Sequence, residues 1–460
     1  MPTESEIRHL LRRTEFVAKP SRVASLLTKP TLAAVVADIL TTVADPGTVT
    51  FTTGTESEKG SQLVAYWIDR MAYSSRPMQE HMALFWHGHF CSSQKKVVYV
   101  APMRDQIDLY RRLGMSDVPG LLQKLSIQPA MLRYLDNSKN RATSPNENFA
   151  RELMELFTLG VGNYSEADVQ ASTLAWSGHS LDTSVPGRMT YLWRGEWHDS
   201  SAKQFLGRTI NTGTNRTRHA FDTITTIFGN GVVPPSANEV ANRGRPTREV
   251  AAEFLSRKLW AEFAGTTAPT AVIDAMRATA LATNFSVKPW LTTMFLRPEF
   301  YSTDVRRGLV RSPVALAVAM LASTRLRGSA ISVTHLAAAG QRPLYPPDVS
   351  GWKTNRYWID SGSMAARGAM AAAIAAKAGS GYWHGDGLIH LVGGTISHDE
   401  ITKTYATRPA ALVNRILYLM RVQVSPTTLR ALVDYATNVP VTERQHLVKL
   451  ILTCPDMHLA

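Results

Sequence analysis

Two short segments in the first half of the chain concentrate the side chains that could perform chemistry. The first, residues 81–90, contains His81, His87 and His89, three histidines within nine positions. The second, residues 146–160, contains three glutamates, two asparagines and an arginine. Imidazole and carboxylate groups are common protein ligands of zinc, iron, manganese and copper. We therefore predict a metal-dependent enzyme whose site lies where these two segments meet as helices.

His87 and His89 can bind one ion only if the helix stops between them. Residues two apart on a continuous helix differ by about 200° around the axis, so their side chains diverge. Gly88 can adopt a left-handed C-cap, after which the chain extends. We therefore predict a helix that breaks at Gly88, with His89 beyond it. His81 faces another direction and is left out of the predicted site. The alternative for the pair is aromatic core packing with hydrogen bonds to the backbone.

The second segment carries two overlapping stripes of polar side chains. Glu147, Arg151 and Glu155, spaced i, i+4 and i+8, predict a salt-bridge ladder on a helix face. A second stripe, formed by Asn148, Glu152 and Glu155, borders the apolar face of the same helix. Half-buried carboxylates need a cation or a hydrogen-bond donor, because desolvating an unpaired charge is costly. An arginine or a metal ion would meet this need, and we favour the metal.

Two further places provide candidate residues. His198 and Asp199 follow a predicted β-hairpin and could complete or support a metal shell, since an aspartate can ligate directly or orient an imidazole. Gln341 and Trp352 belong to a proline-rich loop. We interpret them as loop packing; the alternative is the wall of a pocket.

Composition places the chain among ordinary soluble proteins. It has 460 residues, 44% of them hydrophobic and 19% charged, without the run of about 18 apolar residues that a transmembrane helix needs. The N-terminal stretch lacks the apolar run of a signal peptide, which leaves both a cytoplasmic and an exported protein open. Cys91 and Cys454 lie too far apart in sequence for a disulfide framework or a cysteine-based zinc site. The formal net charge of +13 suits an anionic partner, but the basic residues are scattered and form no nucleic-acid motif.

Most of the chain has a helical period, and these helices must position the candidate residues. Pro77 is placed to open the helix that carries the histidines, and Ser165 with Asp168 forms a capping signal for another helix. In contrast, residues 189–193 and 197–199 predict the strands of a small β-hairpin. We therefore predict an all-α fold. Its large multi-helix domain spans residues 1–378, with the hairpin insertion near 179–207, and residues 379–460 form a helical extension packed on it.

Several motifs in the chain occur together in one known family. They include Phe-Trp-His-Gly-His-Phe at 85–90, Asn-Glu-Asn-Phe-Ala-Arg-Glu-Leu-Met-Glu-Leu-Phe-Thr-Leu-Gly at 146–160, and Pro-Pro-Asp-Val-Ser-Gly-Trp at 346–352. Over residues 8–370 the chain resembles a large, mostly bacterial family catalogued as DUF1800, a domain of unknown function. The resemblance implies a helical fold and, for many members, export and a sulfatase- or phosphatase-like partner protein. It implies no particular reaction.

The candidate residues combine into one functional hypothesis. We predict His87, His89, Glu152 and His198 as metal ligands, and Glu155, Arg151 and Asp199 as catalytic residues. Two histidines and a carboxylate suit non-haem iron, so oxidation or hydroxylation of an organic or peptide substrate is the first choice. Zinc, manganese or copper are the other metals considered. With zinc or manganese the same residues would activate water to hydrolyse an anionic substrate. The non-enzymatic alternative is a cell-surface binding protein with a buried polar network.

Overall fold

Helices make up most of the computed structural model, which describes residues 1–51, 54–378 and 388–460. The helices that precede the first strand are α1 (Glu4–Thr14), α2 (Pro20–Leu27), α3 (Leu32–Ile39), α4 (Glu56–Tyr73), α5 (Pro77–His89), α6 (Gln94–Val97), α7 (Val100–Leu113), α8 (Val118–Ser126), α9 (Pro129–Tyr134), α10 (Asn148–Glu155) and α11 (Glu166–Ala175). The next group comprises α12 (His219–Phe228), α13 (Thr247–Ala264), α14 (Thr270–Ala282), α15 (Val287–Phe295), α16 (Thr303–Gly308), α17 (Pro313–Ser323), α18 (Val333–Ala338) and α19 (Ser361–Ala378). The C-terminal helices are α20 (Pro409–Met420), α21 (Pro426–Asn438), α22 (Leu447–Thr453) and α23 (Pro455–His458). None of the helices in the described ranges is both long and apolar enough to cross a membrane.

The strands form small antiparallel pairs at the edges of this helical body. The pairs are β1 (His179–Asp182) with β2 (Thr190–Trp193), β3 (Lys203–Phe205) with β4 (Arg208–Ile210), and β5 (Leu388–Leu391) with β6 (Gly394–Ser397). The predicted all-α class with a small hairpin insertion is therefore confirmed. The predicted pairing inside the insertion is wrong, because residues 190–193 pair with residues 179–182 and residues 195–197 form a 3-10 turn. The N–H of Arg194 donates to the Gly178 carbonyl at 2.9 Å, which extends the β1–β2 contact and leaves no strand partner for residues 197–199.

Local sequence signals explain where two helices near the predicted site begin. Pro77 occupies the first turn of α5, where its missing N–H leaves no hydrogen bond unmade. Ser165 caps α11, and its N–H and hydroxyl both donate to the Asp168 carboxylate, at 2.9 and 2.6 Å. Both predicted helix starts are confirmed. In each case the signal is local, so it does not depend on how the rest of the chain packs.

Helix α5 lies in the interior, and every residue in it except Gly88 is buried. It packs against α4 and α7. An ion-pair cluster joins it to α7: the fully buried guanidinium of Arg111 lies 2.7 Å from Glu80 and 2.9 Å from Asp108. Since Glu80 is on α5, this cluster holds the rotation of α5 about its own axis and thereby sets where its histidines lie.

The predicted helix break at Gly88 is wrong. Helix α5 continues through His89, and the Phe90 N–H donates to the Trp86 carbonyl at 2.7 Å. The left-handed glycine lies instead in the loop that covers the end of α5. Gly351 has a φ of +79° and lies against the Gly88 carbonyl, so that a Cβ at position 351 would be 2.1 Å from that oxygen. The close approach of the loop therefore replaces the predicted turn in the helix.

The C-terminal helices contact the main helical body. Helix α22 packs against α19, and α23 packs against α17. Val310 and Leu459 form an antiparallel bridge, and the Arg311 guanidinium donates to the Met457 carbonyl at 2.7 Å. The predicted boundary between residues 378 and 379 borders residues 379–387, which lie outside the described residues.

Candidate functional site

His87 is buried inside the protein and accepts a hydrogen bond from the backbone. Its Nε2 accepts from the Leu344 N–H at 3.1 Å, so the ring proton resides on Nδ1, which is buried without a partner. Aromatic rings of Trp67 and Trp352 pack against it at centroid distances of 5.6 and 5.5 Å. Burial lowers the pKa of His87 to about 4. The ring therefore joins α5 to the loop that contains Leu344.

His89 points to a different neighbour. Its Nε2 donates to the Phe157 carbonyl at 3.0 Å. Burial, with a smaller effect of the nearby Lys258 charge, lowers its pKa to about 3. Because α5 is continuous, His87 and His89 diverge and do not converge on one point. The two motif segments do meet, as predicted, but they meet through a histidine-to-backbone hydrogen bond just beyond the end of α10.

The polar residues of α10 contact one another and α11. Arg151 lies 3.2 Å from Glu147, as the predicted ladder requires, and 2.9 Å from Glu166. The Tyr164 hydroxyl donates to Glu155, which therefore does not extend the ladder. Burial and the neighbouring Glu155 charge raise the pKa of Glu152 to about 7. Glu152 thus has the environment of a carboxylate that retains a proton.

His198 and Asp199 lie in the turn that follows β2 and contact a third region. The Nδ1 of His198 lies 2.9 Å from the Ser177 carbonyl, and its Nε2 lies 3.0 Å from Nδ1 of His219. Asp199 accepts from Ser201 and forms an ion pair with Lys203 at 3.1 Å. His219 was not among the predicted site residues, because no local motif connects it with His198. Asp199 orders its own turn in this arrangement.

The predicted metal ligands therefore occupy separate places. The described parts of the chain contain no group of three or more His, Cys, Asp or Glu side chains arranged to hold one ion. What the structure brings together near α5 is a different set of residues, around a cavity.

A cavity of about 460 Å³ opens between α5, α13, the first turn of α17 and residues 341–358. Aromatic side chains form much of its wall, and polar side chains project among them. The lining includes Phe16, Leu84, Phe85, His89, Gln341, Trp352, Asn355, Tyr357 and Trp358. Gln341 and Trp352, which we interpreted as loop packing, thus line a pocket. Gln341 also accepts from the Val314 N–H at 3.0 Å, which joins this wall to the first turn of α17.

Among the described residues that line the cavity, one has a carboxylate side chain, and it is bonded to a histidine. His81 Nε2 lies 3.0 Å from Oε1 of Glu262, and both residues line the cavity. The His81 ring stacks on Phe16 at 4.6 Å, with an angle of 21° between the planes. His81 was left out of the site predicted from the sequence, but it lines the cavity. Its partner lies 181 residues away on α13, which has no motif to mark it.

Four cationic side chains line the same cavity: Arg12, Lys258, Arg311 and Lys353. Glu262 is the single acidic side chain among the lining residues. The cavity therefore has an excess of positive charge within largely aromatic walls. Such an arrangement can hold an organic molecule and favour a negative charge on it.

Comparison with known families identifies one match. A family model described as "Protein of unknown function (DUF1800)" matches residues 9–459. The match continues through the C-terminal helices, well beyond residue 370, where the motifs recognised in the sequence end. Neither the curated proteins nor the solved structures gave a match.

Proposed function

Because the chain belongs to the DUF1800 family, whose function is unknown, we propose a function from the cavity: an enzyme that binds an organic molecule there and uses Glu262 as its general acid–base. One observation carries this proposal. The Glu262 carboxylate lies in the cavity wall and is hydrogen-bonded at 3.0 Å to a histidine that holds it in place. Cavities of about 300–1,000 Å³ are the usual size for small-molecule sites.

The hydrogen bonds assign different roles to the two residues. The Nδ1 atom of His81 is buried and has no partner, so a molecule in the cavity does not reach it. Its Nε2 faces Glu262 and donates to the carboxylate. The Glu262 side chain, in contrast, is 25% exposed. Proton exchange with a bound molecule therefore takes place at Glu262, and His81 acts as a positioning residue.

Neighbouring side chains support this assignment. Phe16 stacks on one face of the His81 ring, and Phe263 lies 5.0 Å from it, so the imidazole has little freedom to rotate. Lys258 lies one helical turn before Glu262 on α13 and also lines the cavity.

Turnover of activated esters tests the proposal. Purified wild-type protein is assayed with 4-nitrophenyl esters of carboxylic, phosphoric and sulfuric acids, alongside Glu262→Gln and the control Glu253→Gln. Glu253 lies on the same helix, where Arg245 and Arg257 bind it at 3.2 and 2.9 Å, and it does not line the cavity. Loss of a general acid–base should lower kcat by about 10²- to 10⁴-fold. Equal turnover by wild type and Glu262→Gln would refute the assignment.

The metal-dependent oxidation and hydrolysis predicted from the sequence stay predictions, as does the binding-protein alternative. Metal analysis of the purified protein, with His87→Ala and Glu152→Ala as variants, addresses them directly. Bound iron that is lost in both folded variants would favour the oxidase. Zinc or manganese lost in the same way would favour the metal-dependent hydrolase. Ligand binding without turnover of any ester would favour the binding protein.

A further inference from the structure

One buried arginine of this protein, Arg111, is paired with carboxylates. Arg111, whose side chain is fully buried, is bonded to Glu80 and Asp108. Although burial alone would lower it, the pKa of Arg111 is raised by the hydrogen bond and charge of Glu80. This pairing is expected, since an uncompensated buried charge is strongly destabilising.

Arg12 and Arg311, at one end of the cavity, differ from Arg111. Among the described residues the buried Arg13, Arg367 and Arg444 also have neutral partners, but they do not line the cavity. Arg311 is 5% exposed, and its guanidinium donates to the carbonyls of Met457 and Phe16 at 2.7 and 3.2 Å. Arg12 donates to the neutral side chain of Gln423 at 3.1 Å. No side-chain carboxylate of the described residues forms an ion pair with either arginine.

Further positive charge surrounds this pair. Arg13, next to Arg12 on α1, is buried with Nε and one terminal nitrogen unpartnered. Arg311 is followed directly by Ser312, the N-cap of α17, so the positive end of that helix dipole is adjacent. Burial and the charge of Arg12 lower the pKa of Arg311 to about 9. A negative charge in the cavity beside Arg12 and Arg311 would offset both the repulsion among these positive charges and the cost of burying them.

Phe16 connects this cationic end with the acid–base pair. Its carbonyl accepts from Arg311, while its ring stacks on His81. Phe16 has a φ of +65°, a backbone conformation that is uncommon for a residue with a bulky side chain. Phe16, in a constrained backbone conformation, thus lies between the arginines and His81, the residue that holds Glu262.

We infer that Arg12 and Arg311 form a subsite for an oxyanion of the substrate, a carboxylate, phosphate or sulfate group. The guanidinium fork matches the oxygens of such groups and binds them with charge-assisted hydrogen bonds. This subsite rests on the proposed function only in assigning the oxyanion to a substrate. The substrate class is therefore an organic anion, whose charged group lies at Arg12 and Arg311 and whose remaining part extends toward Glu262.

Binding of simple oxyanions tests the subsite without requiring turnover. Inorganic phosphate, sulfate and acetate are titrated separately into the full chain by calorimetry, at an ionic strength held constant with chloride. Arg12→Met should raise the Kd of the best-bound anion at least about tenfold, because it removes a charge-assisted hydrogen bond to the anion. Preference for acetate or for the tetrahedral anions distinguishes a carboxylate from a phosphate or sulfate group.

Matched variants separate this subsite from the acid–base proposal. Arg297→Met removes an equal charge elsewhere, but Arg297 pairs with Glu299 at 2.6 Å and does not line the cavity, so the Kd should not change. Glu262→Gln should retain anion binding, whether or not it abolishes turnover. The subsite is refuted if wild-type protein shows no saturable binding of any of the three anions. It is equally refuted if Arg12→Met, with an unchanged circular dichroism spectrum, binds them as tightly as wild type does.

Discussion

Substitution of Gly351 by alanine should destabilise the protein and deform the cavity at the same time. Gly351 has a φ of +79°, and its Cβ position lies 2.1 Å from the Gly88 carbonyl oxygen and 3.1 Å from Cys91 Sγ. The nearest neighbour is a backbone atom of helix α5, so it cannot rotate away as a flexible side chain would. The loop must therefore shift by about 1 Å to restore a normal contact distance.

Two contributions set the expected magnitude. A left-handed backbone costs a non-glycine residue about 1–2 kcal/mol. Forcing extra atoms into a packed site costs about 1–3 kcal/mol more. A substitution at Gly187 allows the backbone cost to be measured separately from the packing cost, because Gly187 has a φ of +78° and no atom within 4 Å of its Cβ position. Gly187→Ala should therefore show the backbone cost alone, and Gly351→Ala should exceed it by about 1–3 kcal/mol.

Urea unfolding measures the difference. The free energies of unfolding of wild type, Gly187→Ala and Gly351→Ala are compared by circular dichroism at matched m-values. Because Ser350, Trp352 and Lys353 line the cavity on either side of Gly351, oxyanion binding should weaken in Gly351→Ala and not in Gly187→Ala. Equal stability of the two alanine variants would show that the loop does not approach Gly88 as closely as described, and would refute the reasoning.

Two further predictions concern buried charges. Arg111→Met leaves the carboxylates of Glu80 and Asp108 buried without their partner, so it should lower the free energy of unfolding by about 3–5 kcal/mol. The control Arg104→Met breaks an ion pair with the exposed Asp105. It should change the free energy of unfolding by less than about 1 kcal/mol in the same urea assay. For Glu152, a pKa raised to about 7 means that the folded protein retains a proton that the unfolded chain has already lost above its own, lower pKa. Stability therefore falls as pH rises through that window, and Glu152→Gln should match wild type at pH 4 but exceed it at pH 8 by roughly 1–2 kcal/mol after allowing for solvent screening. A Glu152→Gln advantage at acidic pH instead would contradict the assignment.

The parts of the fold that depend on neighbouring residues could be predicted from the sequence. Pro77 and the Ser165–Asp168 box mark helix starts because each acts within one turn. The prediction failed at Gly88, because a glycine can either end a helix in a left-handed cap or continue the helix. In the structure the helix continues, and Gly351, more than 260 residues away, lies against the Gly88 carbonyl, a contact that no local pattern indicates.

The candidate site was less predictable, for a related reason. The histidine motif was recognised, but the direction of each ring depends on a distant partner: Leu344 for His87, Phe157 for His89 and Glu262 for His81. Two of these partners are backbone atoms, which any residue type supplies, so they cannot be recognised from composition or spacing. The density of metal-ligating residues in the sequence therefore marked a segment that lines the cavity, but it could not indicate which partner each histidine has.

The hydrogen bonds around the cavity also determine when in folding it can form. His81 is bonded to a residue 181 positions away, His87 to one 257 away, and Arg311 to one 295 away. Contacts of such large sequence separation form only after the entropy of closing long loops has been overcome. The cavity is therefore completed late, when α1, α5, α13 and the loop before α19 are all in place. No shorter fragment that lacks α1 can contain it, and a ligand that binds there stabilises the junction of distant segments rather than any one of them.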